Sequence, residues 1–129
     1  MNTAVATNVF VQIVNEEGHT EVVRYDAFVA LLFKLMVPAM MKVHAVLGVC
    51  GEAGELADAI KKECIYNKPP DIDNIIEELG DLEFYCQAVR NMYGIQHQEV
   101  FQMNANKLAK RYQGMVYSDQ AAQDRADKL

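Results

Sequence analysis

Apolar and polar positions along the chain first alternate and then recur with helical spacing. Val9, Val11 and Ile13 alternate with Phe10, Gln12 and Val14, Asn15–His19 is rich in turn formers, and Glu21–Tyr25 resumes the pattern. A short hairpin or an extended arm is therefore expected within residues 1–26. Beyond it the chain reads as consecutive helices. Asp26 is expected to cap a helix over Ala27–Met36, and Pro38 stops it, because the ring removes an amide donor and crowds the preceding turn. A second helix, from about Met40 to Glu63, places Val46, Val49, Leu56 and Ile60 on one side and ends at Asn67-Lys68-Pro69-Pro70. The third has the clearest signal: Asp71 or Asp73 as cap, then Ile72, Ile75, Ile76, Leu79, Leu82, Cys86 and Val89 at helical spacing, with an end near Gly94. A fourth, from about His97 to Tyr112, aligns Val100, Phe101, Met103, Asn104 and Leu108, and Gly114 follows it. Residues 118–129 are expected to add a short terminal helix. The predicted class is all-α, a four- to five-helix bundle with a short N-terminal hairpin or arm.

Composition narrows the reading. A chain of 129 residues is the size of one domain, so residues 1–129 are expected to form a single one, and 51% apolar with 23% charged residues is ordinary globular composition. The formal charge of −6 argues against a nucleic-acid partner, since such proteins present a basic face. A free polyphosphate would be repelled as well, unless a divalent cation stood between it and the carboxylates. Cys50, Cys64 and Cys86 cannot all pair within one chain and lie in no zinc-type array, so they are expected to be reduced core residues. Met36, Met40 and Met41 are likewise expected in the core. Met1–Val9 lacks the regions of a secretory signal, which makes the cytoplasm the expected location. Phe28–Cys50 is long and apolar, but Lys34, Lys42, His44 and Pro38 interrupt it, so buried helices are expected and no membrane span.

Two helices carry the same acidic device, Glu52-x-x-Glu55 and Glu78-x-x-Asp81. Residues three apart share a helix face, so each pair presents two carboxylates together. Each acidic edge borders the apolar stripe, with Leu56 after Glu55 and Leu82 after Asp81. One such pair alone is more often a solvated face. Two on adjacent helices, both beside the core, would meet across an antiparallel packing, and four converging carboxylates need a cation. Oxygen ligands without sulfur or imidazole favour Mg²⁺, with Mn²⁺ as substitute, over zinc. A di-iron bundle would want Glu-x-x-His motifs, and the sequence has none.

The ordered strings Gly51-Glu52-Ala53-Gly54-Glu55-Leu56, Ala59-Ile60-Lys61-Lys62 and Ile75-Ile76-Glu77-Glu78-Leu79-Gly80-Asp81-Leu82 resemble the signature of MazG-like nucleoside triphosphate pyrophosphohydrolases. Downstream, Asn106-Lys107-Leu108-x-x-Arg111-Tyr112 and Ala121–Arg125 are similar to the family's C-terminal pattern, so the likeness covers about Met40–Arg125. The resemblance implies Glu52, Glu55, Glu78 and Asp81 as Mg²⁺ ligands. It implies hydrolysis of a nucleoside triphosphate between the α and β phosphates, giving monophosphate and pyrophosphate, with deoxynucleotides as the expected substrates. Many members have a second glutamate before the first ligand, where this chain has Gly51. That leaves Glu52, Glu55 or Glu77 to serve as general base. Lys61, Lys62, Lys107 and Arg111 are the expected phosphate clamps, with Asn106 and Tyr112 as further substrate contacts, although lysines near a helix end are often merely solvated. His44 is expected to be structural, and Tyr85, one turn beyond Asp81, is placed to order a ligand carboxylate. The resemblance further implies a homodimer or homotetramer. The short form is similar to phage-encoded members, which would act in the host cytoplasm. The competing readings are a noncatalytic helical interaction module and a nucleotide sensor without turnover.

Overall fold

A computed structural model of the chain describes residues 8–128; residues 1–7 of the expected N-terminal arm, and Leu129, lie outside the described residues. The chain divides into two compact units, residues 8–94 and residues 95–128 of the described part. In the first, β1 (Phe10–Val14) pairs antiparallel with β2 (Thr20–Arg24), Phe10 opposite Arg24 and Val14 opposite Thr20. The turn is held by Asn15, whose carboxamide oxygen accepts the amides of Glu17 and His19, while Gly18 takes φ 82°. The hairpin, rather than a loose arm, is the form realised.

Helix α1 (Tyr25–Leu32) starts one residue before Asp26, at an Arg24 cap. Asp26 acts within the first turn: its carboxylate accepts the Ala27 amide and a two-point contact from Arg24. The helix also stops at Leu32, short of the expected Met36. Phe33 is already extended at ψ 132°, and Val37 sits at φ −58°, ψ 146°, the conformation that a following proline imposes. Pro38 opens α2 (Pro38–Cys64) from the first turn, where its missing amide costs nothing. Asp71 caps α3 (Ile72–Tyr93), accepting the Asn74 amide at 3.1 Å, and Gly94 at φ 63° closes it.

The core of this unit gathers Val29, Phe33, Ala45 and Ala88, with Tyr25, Met41, Phe84, Tyr85, Val89 and Met92 packed around them. The face of α2 turned inward is therefore offset from the expected stripe. Ala45 and Ala59 are its buried members, whereas Val46 is 54% and Ile60 41% exposed. On α3 the Ile75, Leu82, Cys86 and Val89 positions of the expected stripe are half-buried beside buried Gln87 and Ala88, whereas Ile72, Ile76 and Leu79 are exposed. Both helices carry apolar residues on more than one side, so spacing alone could not choose the inward face. Small residues won on α2 because they let the backbones approach. Two further expectations fail: Cys50 and Cys64 are exposed and only Cys86 is half-buried, and of the three methionines only Met41 packs on the core.

In the second unit, α4 (His97–Arg111) begins with a capping box in which the Gln96 amide donates to Glu99 at 2.6 Å. Val100, Phe101, Met103 and Leu108 remain exposed on it. A turn at Gly114 (φ 74°) leads to α5 (Asp119–Asp124), capped by the Ser118 hydroxyl, and to a last single turn at Ala126–Lys128. Arg111 ties that turn to α4 through two contacts with the Asp127 carboxylate, at 2.6 and 3.1 Å. The class is all-α; among the described residues β1 and β2 are the only strands and no helix is long and apolar enough to cross a membrane.

Candidate metal and nucleotide site

Helices α2 and α3 run antiparallel, with Gly48 against Tyr85 and, one turn further along both, Glu52 near Asp81. Carboxylate oxygens of Glu52, Glu78 and Asp81 all lie within 4.8 Å of one another, Glu52 and Glu78 half-buried and Asp81 exposed. Glu55 and Glu77 fall outside this trio. Their charges still reach it: the Glu78 carboxyl is held above the usual carboxylate range, first by partial desolvation and then by Glu55, Glu52, Glu77 and Asp81. Such crowding of like charges disfavours ionisation and is relieved by a bound cation. Glu52, Glu78 and Asp81 would hold such an ion, and their all-oxygen donor set suits Mg²⁺ or Mn²⁺. The residues present fit a divalent metal.

Of the three lysines of α2, Lys61 and Lys62 lie toward its C-terminal end. Lys62 pairs with Asp58 at 2.9 Å, and that hydrogen bond and charge raise its ammonium above the ordinary value, with smaller contributions from Glu55 and Asp71. Lys61 lies over the Tyr66 ring at 5.4 Å. At the other end of the helix pair the surroundings are aromatic. The His44 ring stands 5.0 Å from Phe33 and 5.9 Å from Tyr85, and Phe84 meets Tyr85 edge-on at 5.3 Å. His44 Nδ1 is buried there without a hydrogen-bond partner, an arrangement that costs about 1–3 kcal/mol. The acidic trio thus lies between Lys61 and Lys62 on one side and the aromatic cluster on the other, and at the aromatic end Lys42 lies over the Tyr93 ring at 4.7 Å.

The remaining expected substrate contacts belong to the second unit. Lys107 lines an apolar groove of about 480 Å³ with Ile95, Val100 and Met103. Asn106 and Tyr112 line another of about 590 Å³ with Leu108, Met115 and Tyr117, and Asn106 accepts the Gln102 amide at 2.9 Å. Arg111 is engaged by Asp127, whose side chain is 1% exposed. The pair is mutually reinforcing: the hydrogen bond from Arg111 depresses Asp127 to about 2, and Asp127 holds the guanidinium above its ordinary value. Sequence reasoning did not foresee this partner, since Asp127 lies 16 residues away and resembles any charged residue of a tail. Nor did it foresee the contact between Gly48 and Tyr85, although a glycine within a helix one turn before Glu52 was a signal for close approach.

Comparison with known proteins gives this geometry a family. No solved structure matches the chain. A stretch of 73 residues is 34% identical to the Gene 37 protein of Mycobacterium phage L5. The aligned part covers 53% of this chain and 63% of that protein, so the chain spans less than two thirds of the relative's length. The family model of the MazG nucleotide pyrophosphohydrolase domain matches residues 43–116, which include both acidic pairs and the Asn106–Tyr112 segment. With more than half of its residues in that match, this chain belongs to the MazG nucleotide pyrophosphohydrolase family.

Proposed function

We propose that this chain hydrolyses a nucleoside triphosphate, preferentially a deoxynucleotide, between the α and β phosphates, using Mg²⁺ held by Glu52, Glu55, Glu78 and Asp81. The observation that carries the reading is the meeting of Glu52, Glu78 and Asp81 oxygens within 4.8 Å on two packed helices. A bound divalent ion would supply charge neutralisation for the triphosphate and a lower pKa for an attacking water. The chain's own groups do the rest. By holding the ion, the carboxylates of α2 and α3 would set where the α phosphate sits and where the water stands in line with it. The proton goes to a nearby carboxylate, Glu52, Glu55 or Glu77, and Glu55, outside the tight trio, would serve as base only where it does not itself ligate the ion. The water oxygen bonds to the α phosphorus, the bond to the bridging oxygen breaks, and pyrophosphate departs with the electron pair. Lys61 and Lys62, toward the C-terminal end of α2, are the proposed phosphate contacts; a substrate role for Lys107, Arg111, Asn106 and Tyr112 is proposed from the family pattern alone.

Self-association belongs to the same reading. The outward sides of α2 and α3 leave Val43, Leu47, Ile76 and Leu79 exposed, apolar surface that a homodimer or homotetramer would cover. Likeness to a phage protein is consistent with work in a host cytoplasm, on the pool that feeds DNA synthesis.

The test is direct. Purified protein is incubated with each common NTP and dNTP and with dUTP, in Mg²⁺, Mn²⁺ or chelator, and the products are separated. Monophosphate plus pyrophosphate, abolished by chelator, supports the reading, and the ranking of sugars tests the deoxynucleotide preference. Nucleotide binding without product would indicate a sensor instead. Neither binding nor product with either ion would leave an interaction module.

A further inference from the structure

We infer that Gly48 and Tyr85 act as a spacer that sets the separation of the carboxylates across the α2–α3 groove. The inference rests on the proposed metal site and adds two positioning residues to it. Of the helical glycines Gly48, Gly51, Gly54 and Gly80, the last three face open space, so a methyl group there would meet nothing. At Gly48 a methyl would overlap the Tyr85 ring at Cδ1, Cε1 and Cγ. The ring therefore lies directly on the α2 backbone, and the absence of a side chain at Gly48 is what allows the two helices to come this close.

Register gives the contact its consequence. Glu52 is four residues after Gly48, and Asp81 is four before Tyr85, so both carboxylates stand one helical turn, about 6 Å, along the groove from the spacer. The ring cannot simply withdraw. Phe33 at 6.4 Å, His44 at 5.9 Å and Phe84 at 5.3 Å surround it. Any bulk added at Gly48 must push the helices apart and carry Glu52 away from Glu78 and Asp81. Mg²⁺ and Mn²⁺ require short, near-octahedral ligation, whereas Ca²⁺ accepts longer and more flexible arrangements, so a wider groove penalises the smaller ions selectively. That selectivity separates a spacer from a residue that merely stabilises the fold.

Equilibrium binding of Mn²⁺, Mg²⁺ and Ca²⁺ by calorimetry, without nucleotide, reads the effect apart from activity. In Gly48→Ala the Mn²⁺ and Mg²⁺ affinities are expected to fall at least about tenfold, and Ca²⁺ affinity by less. Adding Tyr85→Leu in that background exchanges ring volume for the new methyl and is expected to restore Mn²⁺ binding to within roughly threefold of the parent. Tyr85→Phe, which keeps the ring, is expected to bind like the parent, which also excludes the hydroxyl as the operative group. A folded Gly48→Ala variant with parental affinities, or an equal loss for all three ions, overturns the inference. Should Gly48→Ala fail to fold, Tyr85→Leu alone decides: weakened Mn²⁺ binding with retained helicity supports the spacer, and unchanged binding overturns it. A parent chain that binds none of the ions overturns the functional reading itself, and the spacer with it.

Discussion

Charge is handled in opposite ways in the two units. On α2 and α3, Glu52, Glu78 and Asp81 gather within 4.8 Å, and Glu78 is held above its ordinary range by its acidic neighbours. Against α4, the Asp127 side chain is 1% exposed but is matched by Arg111, and its carboxyl is depressed to about 2. Folding alone accounts for the second arrangement, since each charge supplies the other's partner. It does not account for the first, in which every close neighbour makes ionisation harder. Such a cluster costs some stability, and a bound cation would relieve it. The difference also bears on two residues given site roles from the sequence: Glu78 stands among like charges, whereas Arg111 has a charge partner within the chain.

The largest expected effect comes from breaking the acidic cluster. Glu78→Gln keeps the shape of the side chain and removes one negative charge. Pyrophosphohydrolase activity should fall at least about a hundredfold, because a member of the metal-holding set is lost. Without metal the same variant should unfold at a slightly higher temperature, by about 2 °C, since the repulsion is relieved. Opposite signs in the two measurements, turnover and thermal midpoint, are what the comparison demands. Equal loss of both would mean that Glu78 is a structural residue.

Next in size is the matched pair. Arg111→Leu leaves the Asp127 carboxylate, 1% exposed, without its cation, and should lower the thermal midpoint by roughly 5 °C. Replacing both residues by leucine removes the stranded charge and should recover most of that loss. The double variant also assigns Arg111. Stability regained together with parental kcat/KM makes it a structural residue only, whereas stability regained with activity still depressed restores the phosphate contact that its motif implies.

Much of this was legible beforehand, and the exceptions share a cause. The hairpin followed from alternation around Asn15–His19, α3 from Asp71, its apolar spacing and Gly94, and the two acidic pairs from i, i+3 spacing; each is a local signal set by neighbours in sequence. What escaped depends on residues far apart in the chain. The inward face of α2 was settled by which side could approach α3 most closely, and this favoured Ala45 and Gly48 over the larger Val46 and Ile60. Spacing placed all four ligand candidates on adjoining faces, yet only the packed helices show Glu55 standing apart from the other three. Arg111 read as a phosphate clamp with no sign of Asp127, because that partner sits on the far side of a turn and a short helix.

The smallest effect is a pH dependence confined to acid. Asp127 is depressed by Arg111 to about 2, below the roughly 4 of an unfolded aspartate. Its contribution to stability is therefore complete above about pH 4 and is lost as pH falls from there through about 2, because the unfolded chain takes up the proton first. Asp127→Asn removes that titration. Relative to the parent, its deficit in stability should be constant at neutral pH and shrink as pH falls below 4, so the two unfolding curves converge in acid. Glu78 has the opposite sign: its raised carboxyl favours folding of the protonated form, so Glu78→Gln should show its advantage over the parent near neutrality and lose it in acid. Unfolding midpoints of the parent and both variants between pH 2 and 7, in chelator, would set the two sites on one axis. If both variants shifted the acid limb in the same direction, the contrast between a matched and an unmatched cluster would not hold.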